Sequence, residues 1–384
     1  LEKILDALIH PDYTQEEVMR EVRNFGVATD GSGKELKLVE KGSVYNEMTS
    51  TFTNPYTNAF CQLSRLTYGP NHPLGFVAGG SPEGIRVLKP EHIQQFHEQN
   101  YHLPNMTVIV SHPREMQLET VLTKTDAMLL RLEPAPPKRH FKTQDELPAP
   151  QAAAAGTVDV VAYPSENEQQ PSPIAFGWPA QLNLNPQEFT LLNLFVNNLA
   201  GDATTNLYKK LIDTKTREVD IGAQALFSGA PFSEGQPVVL WVAEVPPANI
   251  TETTIKDLRA RITTEIARIA SWKDGSPELM EFNARIRDRI MEQRRGLAKF
   301  VNSPPRFGFR DTYSSWLDQL DEISKTTGFK KSVTLKPELA EIERLLDGKQ
   351  NIWRERIAQW KLASTVPYAV GARPSAALAR RQAE

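Results

Sequence analysis

Residues 96–102 read FHEQNYH and bring two histidines and a glutamate within six positions: His97, Glu98 and His102. Imidazoles and a carboxylate at short spacing are the ligands and the base of a zinc hydrolase. A helix that binds zinc this way needs its histidines four residues apart, so that both rings leave one face. Here position 101 is Tyr, and the second histidine comes five residues after the first. Five helical steps turn the chain by about 140°, which sends the two rings in different directions. The inverted arrangement, H-x-x-E-H, occurs nowhere in the chain. The spacing therefore predicts a structural helix, with Phe96 buried and the histidines at an interface.

The remaining candidates are weaker. His92 and His97 are again five apart, His72 sits in the turn NHPLG, and His112 and His140 border loops. All seven histidines lie at or before His140. Cys61 has no histidine within easy sequence reach and reads as a buried, inert thiol. Gly79-Gly80 lacks the Lys-Ser/Thr of a phosphate loop. The turn in LAGDATTNLYKKL reads as a plain helix cap. Glu47, in SVYNEMTS, would on its own be a solvated glutamate.

The elements that must position these residues follow from periodicity. Ile4, Leu5 and Leu8 share one face of a short helix ended by Pro11. Thr14 and Glu17 stand at capping-box spacing before Val18 and Val22. GVATDGSGKELKLVEKGSV reads as a loop or ribbon. KPEHIQQFHEQNY is a helix with Pro90 in its first turn, and MTVIVS (106–111) a buried strand. Residues 114–132 are helical. Strands are expected at 157–163, 173–180 and 238–245. A helix from Pro186 to Leu199 carries Phe189, Leu192, Phe195 and Val196. Ile255, Leu258, Ile262, Ile266 and Ile269 form a second stripe, and Ser276 with Pro277 opens a further helix.

Hydrophobic residues make up 40% of the 384 and charged residues 24%, an ordinary globular balance. The net charge of −3 gives no basic excess for nucleic acid or an anionic membrane. One cysteine excludes an internal disulfide. No apolar run reaches the ~18 residues of a membrane span. The chain opens LEKILDALIH, as though already inside a helix, so we expect the native N-terminus and any targeting segment to lie upstream. The proline- and alanine-rich stretch 133–156 reads as an extended linker. Mixed strands and helices on both sides of it give a two-domain α+β or α/β sandwich.

Taken in order, HPDYTQEEVMREV, EKGSVYNEM and YGPNHPLGFVAGGSPEGIRVLKPEHIQQFHEQNYHLPNMTVIVS resemble the pitrilysin/insulinase metallopeptidases, most closely their presequence-protease branch. The matching residues are Val44-Tyr45-Asn46-Glu47-Met48, Gly79-Gly80-Ser81-Pro82 with Ile85 and Leu88, and Phe96-His97 with Tyr101-His102 and Pro104-Asn105. Ala200-Gly201-Asp202, Leu207-Tyr208-Lys209-Lys210-Leu211 and the closing VPYAVGARPSAAL add weaker matches.

The resemblance implies pitrilysin-like α+β sandwich domains, mostly antiparallel sheets packed with helices. Residues 1–132 would be the C-terminal part of the first domain, 133–156 the linker, 157–372 the second domain and 373–384 the start of a hinge or tail. It implies Glu47 as a Zn²⁺ ligand, with the other ligands and the water-activating glutamate in an H-x-x-E-H segment upstream of Leu1. This chain alone would then hold no catalytic residue and be inactive. The implied partners are a peptide substrate, the N-terminal segment, and a C-terminal half or homologous subunit. The implied compartment is the bacterial cytoplasm or the mitochondrial matrix. The alternative is a non-catalytic, partner-binding subunit of the same fold. In either case FHEQNYH leads into the following strand, with Phe96 and Tyr101 anchoring the sheet and His102-Leu103-Pro104 making the turn.

Overall fold

The computed structural model describes residues 2–29, 33, 35–106, 108, 112–133, 148–179, 184–230, 237–302 and 335–383. The chain divides into two compact units, Leu1–Thr51 with Val77–Ala149, and Phe52–Phe76 with Pro150–Glu384.

The first unit begins with α1 (Glu2–Ile9) and α2 (Gln15–Val22). Thr14 caps α2 as its spacing predicts: Glu17 N donates to Thr14 Oγ1 at 3.2 Å. The ribbon is an antiparallel hairpin of β1 (Asn24–Thr29) and β2 (Leu36–Lys41), paired from Asn24↔Lys41 to Thr29↔Leu36. Next come α3 (Ser43–Thr51) and, after the excursion into the second unit, α5 (Pro82–Arg86), α6 (Pro90–Asn100) and α7 (Leu118–Leu132). Leu5 and Ile9 pack on Met128 and Leu132, so α1 and α7 share a small core. Most of the strand expected at 106–111 lies outside the described residues, as does most of the 133–156 stretch.

The second unit is built on a five-stranded sheet, β3 (Val158–Pro164), β4 (Ser172–Trp178), β5 (Ala225–Gly229), β6 (Val238–Val245) and β7 (Tyr368–Ser375), in the order β3-β7-β4-β6-β5. Only β3 and β7 are parallel; the other pairs are antiparallel. One face is covered by α8 (Pro186–Leu199), α10 (Glu252–Ser271), α11 (Pro277–Asn302), α12 (Lys336–Asp347) and α13 (Trp353–Gln359). The expected stripe on α10 is fully used: Ile255, Leu258, Ile262, Ile266 and Ile269 are all buried. Phe195, Phe282 and Trp353 meet with ring centroids 5.4–5.9 Å apart, and Trp353 Nε1 donates to Asn283 Oδ1 at 2.8 Å.

The opposite face is closed by α4 (Pro55–Tyr68), which sequence periodicity did not reveal. Its Ala59 and Leu63 lie against Tyr163, Ala175, Tyr368 and Val370. A Cβ on Gly177 would come within 2.7 Å of Leu63 Cδ2, so glycine lets the helix approach the sheet. With both faces covered, every residue of β4 is buried. Residues 151–153 of the expected linker are tied to α4: Gln151 N donates to Tyr68 O and Ala153 N to Leu66 O. The short α9 (Asn206–Leu211) follows α8, and α14 (Ala376–Ala383) follows β7. Helices and largely antiparallel strands are mixed as expected. No described helix is long and apolar enough to cross a membrane.

Candidate functional site

Glu47 sits on α3, a helix where the sequence showed only a short apolar-polar segment. Gly42 starts it with φ +131; a side chain there would strike the Val22 carbonyl at 2.6 Å. Tyr45 and Met48, three residues apart, are buried on one side of α3, while Asn46 and Glu47 are more open to solvent. Each buried residue is gripped by a different device.

Tyr45 belongs to an ionic clamp. Its hydroxyl donates to Glu40 Oε2 and accepts from Arg86 Nη2 at 2.7 Å. Arg86 also donates to both Glu40 oxygens, through Nη2 at 2.7 Å and Nε at 3.0 and 3.2 Å. Arg23 Nε adds a bond to Glu40 Oε1 at 2.7 Å. The Glu40 side chain keeps only 19% of its exposure. Arg86's hydrogen bonds are the main reason that Glu40 is held at about 2; those from Tyr45 and Arg23 add to them, while desolvation opposes. Three elements, the β1 entrance, the β2 end and α5, therefore converge on the helix that carries Glu47.

Met48 is gripped by glycine. A Cβ on Gly79 would lie 2.1 Å from Met48 Sδ, so any larger residue would have to displace the thioether from where it sits. Gly80 then takes φ +80, which favours glycine. Ser81 Oγ accepts from Gly84 N at 3.1 Å and Pro82 fills the first helical position. That short helix buries Ile85 and ends on Arg86, the clamp residue. GGSPEGIR and VYNEM, separate in sequence, are thus two halves of one support.

FHEQNYH behaves differently from expectation in one respect. Phe96 is 61% exposed, and Tyr101 39%, so neither anchors a sheet. The buried groups are the histidines. His97 Nε2 donates to Leu8 O at 2.7 Å, its ring stacks on Tyr101 at 4.5 Å, and Tyr13 meets it edge-on at 5.6 Å. His102 Nε2 donates to Gln99 O at 2.9 Å. Polarity misled the reading: a histidine with a carbonyl partner is buried more cheaply than hydropathy implies. The turn at 103–105 forms as expected, a single 3₁₀ turn. His72 Nδ1 accepts from Leu74 N and His92 Nδ1 from Lys89 N. His140 lies outside the described residues. Burial pushes the Cys61 thiol up, away from nucleophilic use.

Sequence reasoning missed Glu40, Arg23 and Arg86. A signal existed for Glu40. Leu36, Leu38 and Glu40 share one face of β2, and a charge at the end of an apolar face needs a partner.

Zinc needs three protein ligands to keep a fourth position for water. Among the described residues no group of three or more His, Cys, Asp or Glu is arranged to hold a metal ion. Glu47 offers one carboxylate, so the described residues by themselves do not fit a zinc site.

No protein-family profile matches the chain. An uncharacterized protein of Saccharomyces cerevisiae is 28% identical over 177 residues, covering 45% of this chain and 16% of that protein. The mitochondrial presequence protease of Drosophila melanogaster is 32% identical over 107 residues, 27% of this chain and 10% of the protease. The matched segments are thus small parts of these longer relatives. Among solved structures, a protease from Helicobacter pylori superposes with a TM-score of 0.56 at 13% identity, covering 97% of this chain and 89% of that one. A peptidase M16 inactive domain from Pseudomonas fluorescens gives 0.53 at 14%, covering 97% and 88%. The chain has the M16 peptidase fold. In this M16 fold, the glycine contact and the ionic clamp are what holds α3 and its carboxylate.

Proposed function

We propose that this chain is part of a zinc-dependent metalloendopeptidase of the presequence-protease kind, which degrades short unstructured peptides. The observation that carries the reading is the exposed Glu47 carboxylate on a helix whose family-matching Tyr45 and Met48 are held from two sides, by the Glu40–Arg23–Arg86 clamp and by the matching Gly79. A carboxylate ligand must be held still before the ion arrives, and an ordered support does that. Similarity to the Drosophila presequence protease supports the peptide class. The two histidines and the water-activating glutamate would come from outside these 384 residues, as would the second half of the substrate chamber or a homologous subunit. Zinc, when bound, would supply a water of pKa ~7. The residues of this chain orient Glu47; alone they are inactive. The compartment that fits is the bacterial cytoplasm or the mitochondrial matrix.

In the protein as its native gene encodes it, Glu47→Gln should lower both zinc content and the rate of peptide hydrolysis, with unfolding unchanged. Unaltered zinc content and rate would remove Glu47 from the site.

A second reading has one observation in its favour: the same fold occurs in a Pseudomonas fluorescens domain described as inactive. On that reading the chain is a non-catalytic, partner-binding subunit. The wild-type protein would then bind no zinc stoichiometrically, and Glu47→Gln would change nothing.

A further inference from the structure

On the second unit, far in sequence from Glu47, strand β6 carries one residue too many. Ser172 of β4 pairs with Val245 and Ile174 with Val242, so three steps on β6 answer two on β4. The extra residue lies between two side chains that both enter the helix-covered core, Val242 and Val245. Regular alternation would send Glu244 into that core with Val242. Instead it takes left-handed backbone, φ +58, and is exposed. Glutamate rarely adopts that conformation, so the bulge holds it there against its own backbone preference.

The bulge aims Glu244 at the face covered by α4. The Tyr56 hydroxyl there is pushed up by burial, and further by the charge of Glu244 and its hydrogen bond. Buried Tyr163, on the same face, also feels that charge. Beside Tyr56 lie Trp241 and Phe227, with ring centroids 5.3 Å and 5.8 Å from it and 6.0 Å from each other. Phe227 is 42% exposed and Trp241 is half-buried. The carboxylate joins no ion pair among the described residues. The result is three aromatic rings, open to solvent on one side, next to a carboxylate with no counter-charge among the described residues.

We propose that Tyr56, Phe227, Trp241 and Glu244 form a docking site for an arginine or lysine side chain of an extended polypeptide. The chemistry is complementary at each point. Aromatic faces attract a cation, most strongly when an indole is among them. A carboxylate at the rim completes the charge with hydrogen bonds. The aliphatic stem of the guest packs on the exposed Phe227 ring. A polypeptide fits better than a free amine because β5, which carries Phe227, is the terminal strand of the sheet among the described residues. A chain running beside it would present every second side chain to the face that holds the aromatic rings. The site needs no zinc and does not depend on the peptidase reading.

The test uses the chain as it is. Binding of the peptide Ac-Ala-Arg-Ala-Arg-Ala-NH2 is compared with that of Ac-Ala-Gln-Ala-Gln-Ala-NH2 by calorimetry and tryptophan fluorescence. The arginine peptide should bind about tenfold more tightly. Glu244→Asn keeps a residue that tolerates left-handed backbone and removes the charge; it should abolish the preference. Phe227→Ser, at an exposed position, should weaken the arginine peptide about fivefold with thermal unfolding unchanged. Tyr56→Phe retains the ring and releases Glu244 from its hydrogen bond, so the preference should persist. Equal binding of the two peptides, binding of neither, or a preference that survives both Glu244→Asn and Phe227→Ser overturns the proposal.

Discussion

Around Phe195, Phe282 and Trp353 the second unit closes a five-stranded sheet between helices on both faces, and its central strand is wholly buried. Around α3 the first unit does something else. Its hairpin leaves Phe25, Val27, Leu36 and Leu38 more than half exposed, and its order comes from Glu40 bridging two arginines and a tyrosine. The contrast separates two ways of holding a fold. Apolar burial is non-directional and insensitive to pH. An ionic clamp is directional: it fixes where a helix points, and it fails when its carboxylate is protonated. A region that must aim one side chain gains more from the second device than a region that must only stay folded.

The sharpest way to break the comparison is at the aromatic core. Trp353→Ala removes a fully buried ring and its bond to Asn283, and should destabilise the second unit by about 3–5 kcal/mol. Thermal unfolding followed by near-ultraviolet circular dichroism would read it. A loss below about 1 kcal/mol would mean that the core does not carry that unit. A smaller effect is expected at Gly79→Val. The added side chain must displace Met48, at about 2 kcal/mol, softened because methionine can change rotamer. Hydrogen exchange should quicken in α3 while β4 keeps its protection. Uniform quickening across both units would deny the first unit a support of its own.

The smallest effect distinguishes charge from burial directly. Glu40 is held at about 2, below its ordinary 4.5. A carboxylate depressed in the folded state contributes stability above its unfolded value. That contribution is lost as pH falls from about 4.5 toward 2. Exchange protection of α3 should therefore drop in this window by about 1 kcal/mol, after allowance for solvent screening of a partly exposed pair. In Glu40→Gln the protection should already be lower at neutral pH, and the step should vanish. β4 should show no such step in either protein.

Much of the second unit was legible because burial leaves periodic traces. The α10 stripe at Ile255, Leu258, Ile262, Ile266 and Ile269 lies where spacing puts it, and the strands at 158–164, 172–178 and 238–245 fall within two residues of the bounds expected from β-branched content. The helix at 55–68 escaped because its buried residues are small and polar as well as apolar: Ala59, Cys61, Ser64 and Thr67. Asn54 and Pro55 did mark its start, since Tyr56 N donates to Asn54 Oδ1. In the first unit the order of motifs pointed to the segment Val44–Met48 and Glu47, though not to the helix that carries them. It could not show that Gly79 touches Met48 or that Arg86 reaches Glu40, because these contacts join residues far apart and leave no local period. Phe96 and His97 were exchanged for the same reason: hydropathy ranks residue types, and the Leu8 carbonyl that buries His97 lies 89 positions away.

The most direct test is the metal content of the protein expressed from its native gene, measured for wild type and for Glu47→Gln at matched stability. The expected result is one tightly bound zinc per wild-type chain, and at least about tenfold weaker binding in the variant, with peptide hydrolysis lost in parallel. Equal zinc stoichiometry and affinity in the two proteins would contradict the assignment of Glu47 as a ligand and, with it, the role of the clamp around α3 in aiming that carboxylate at a metal.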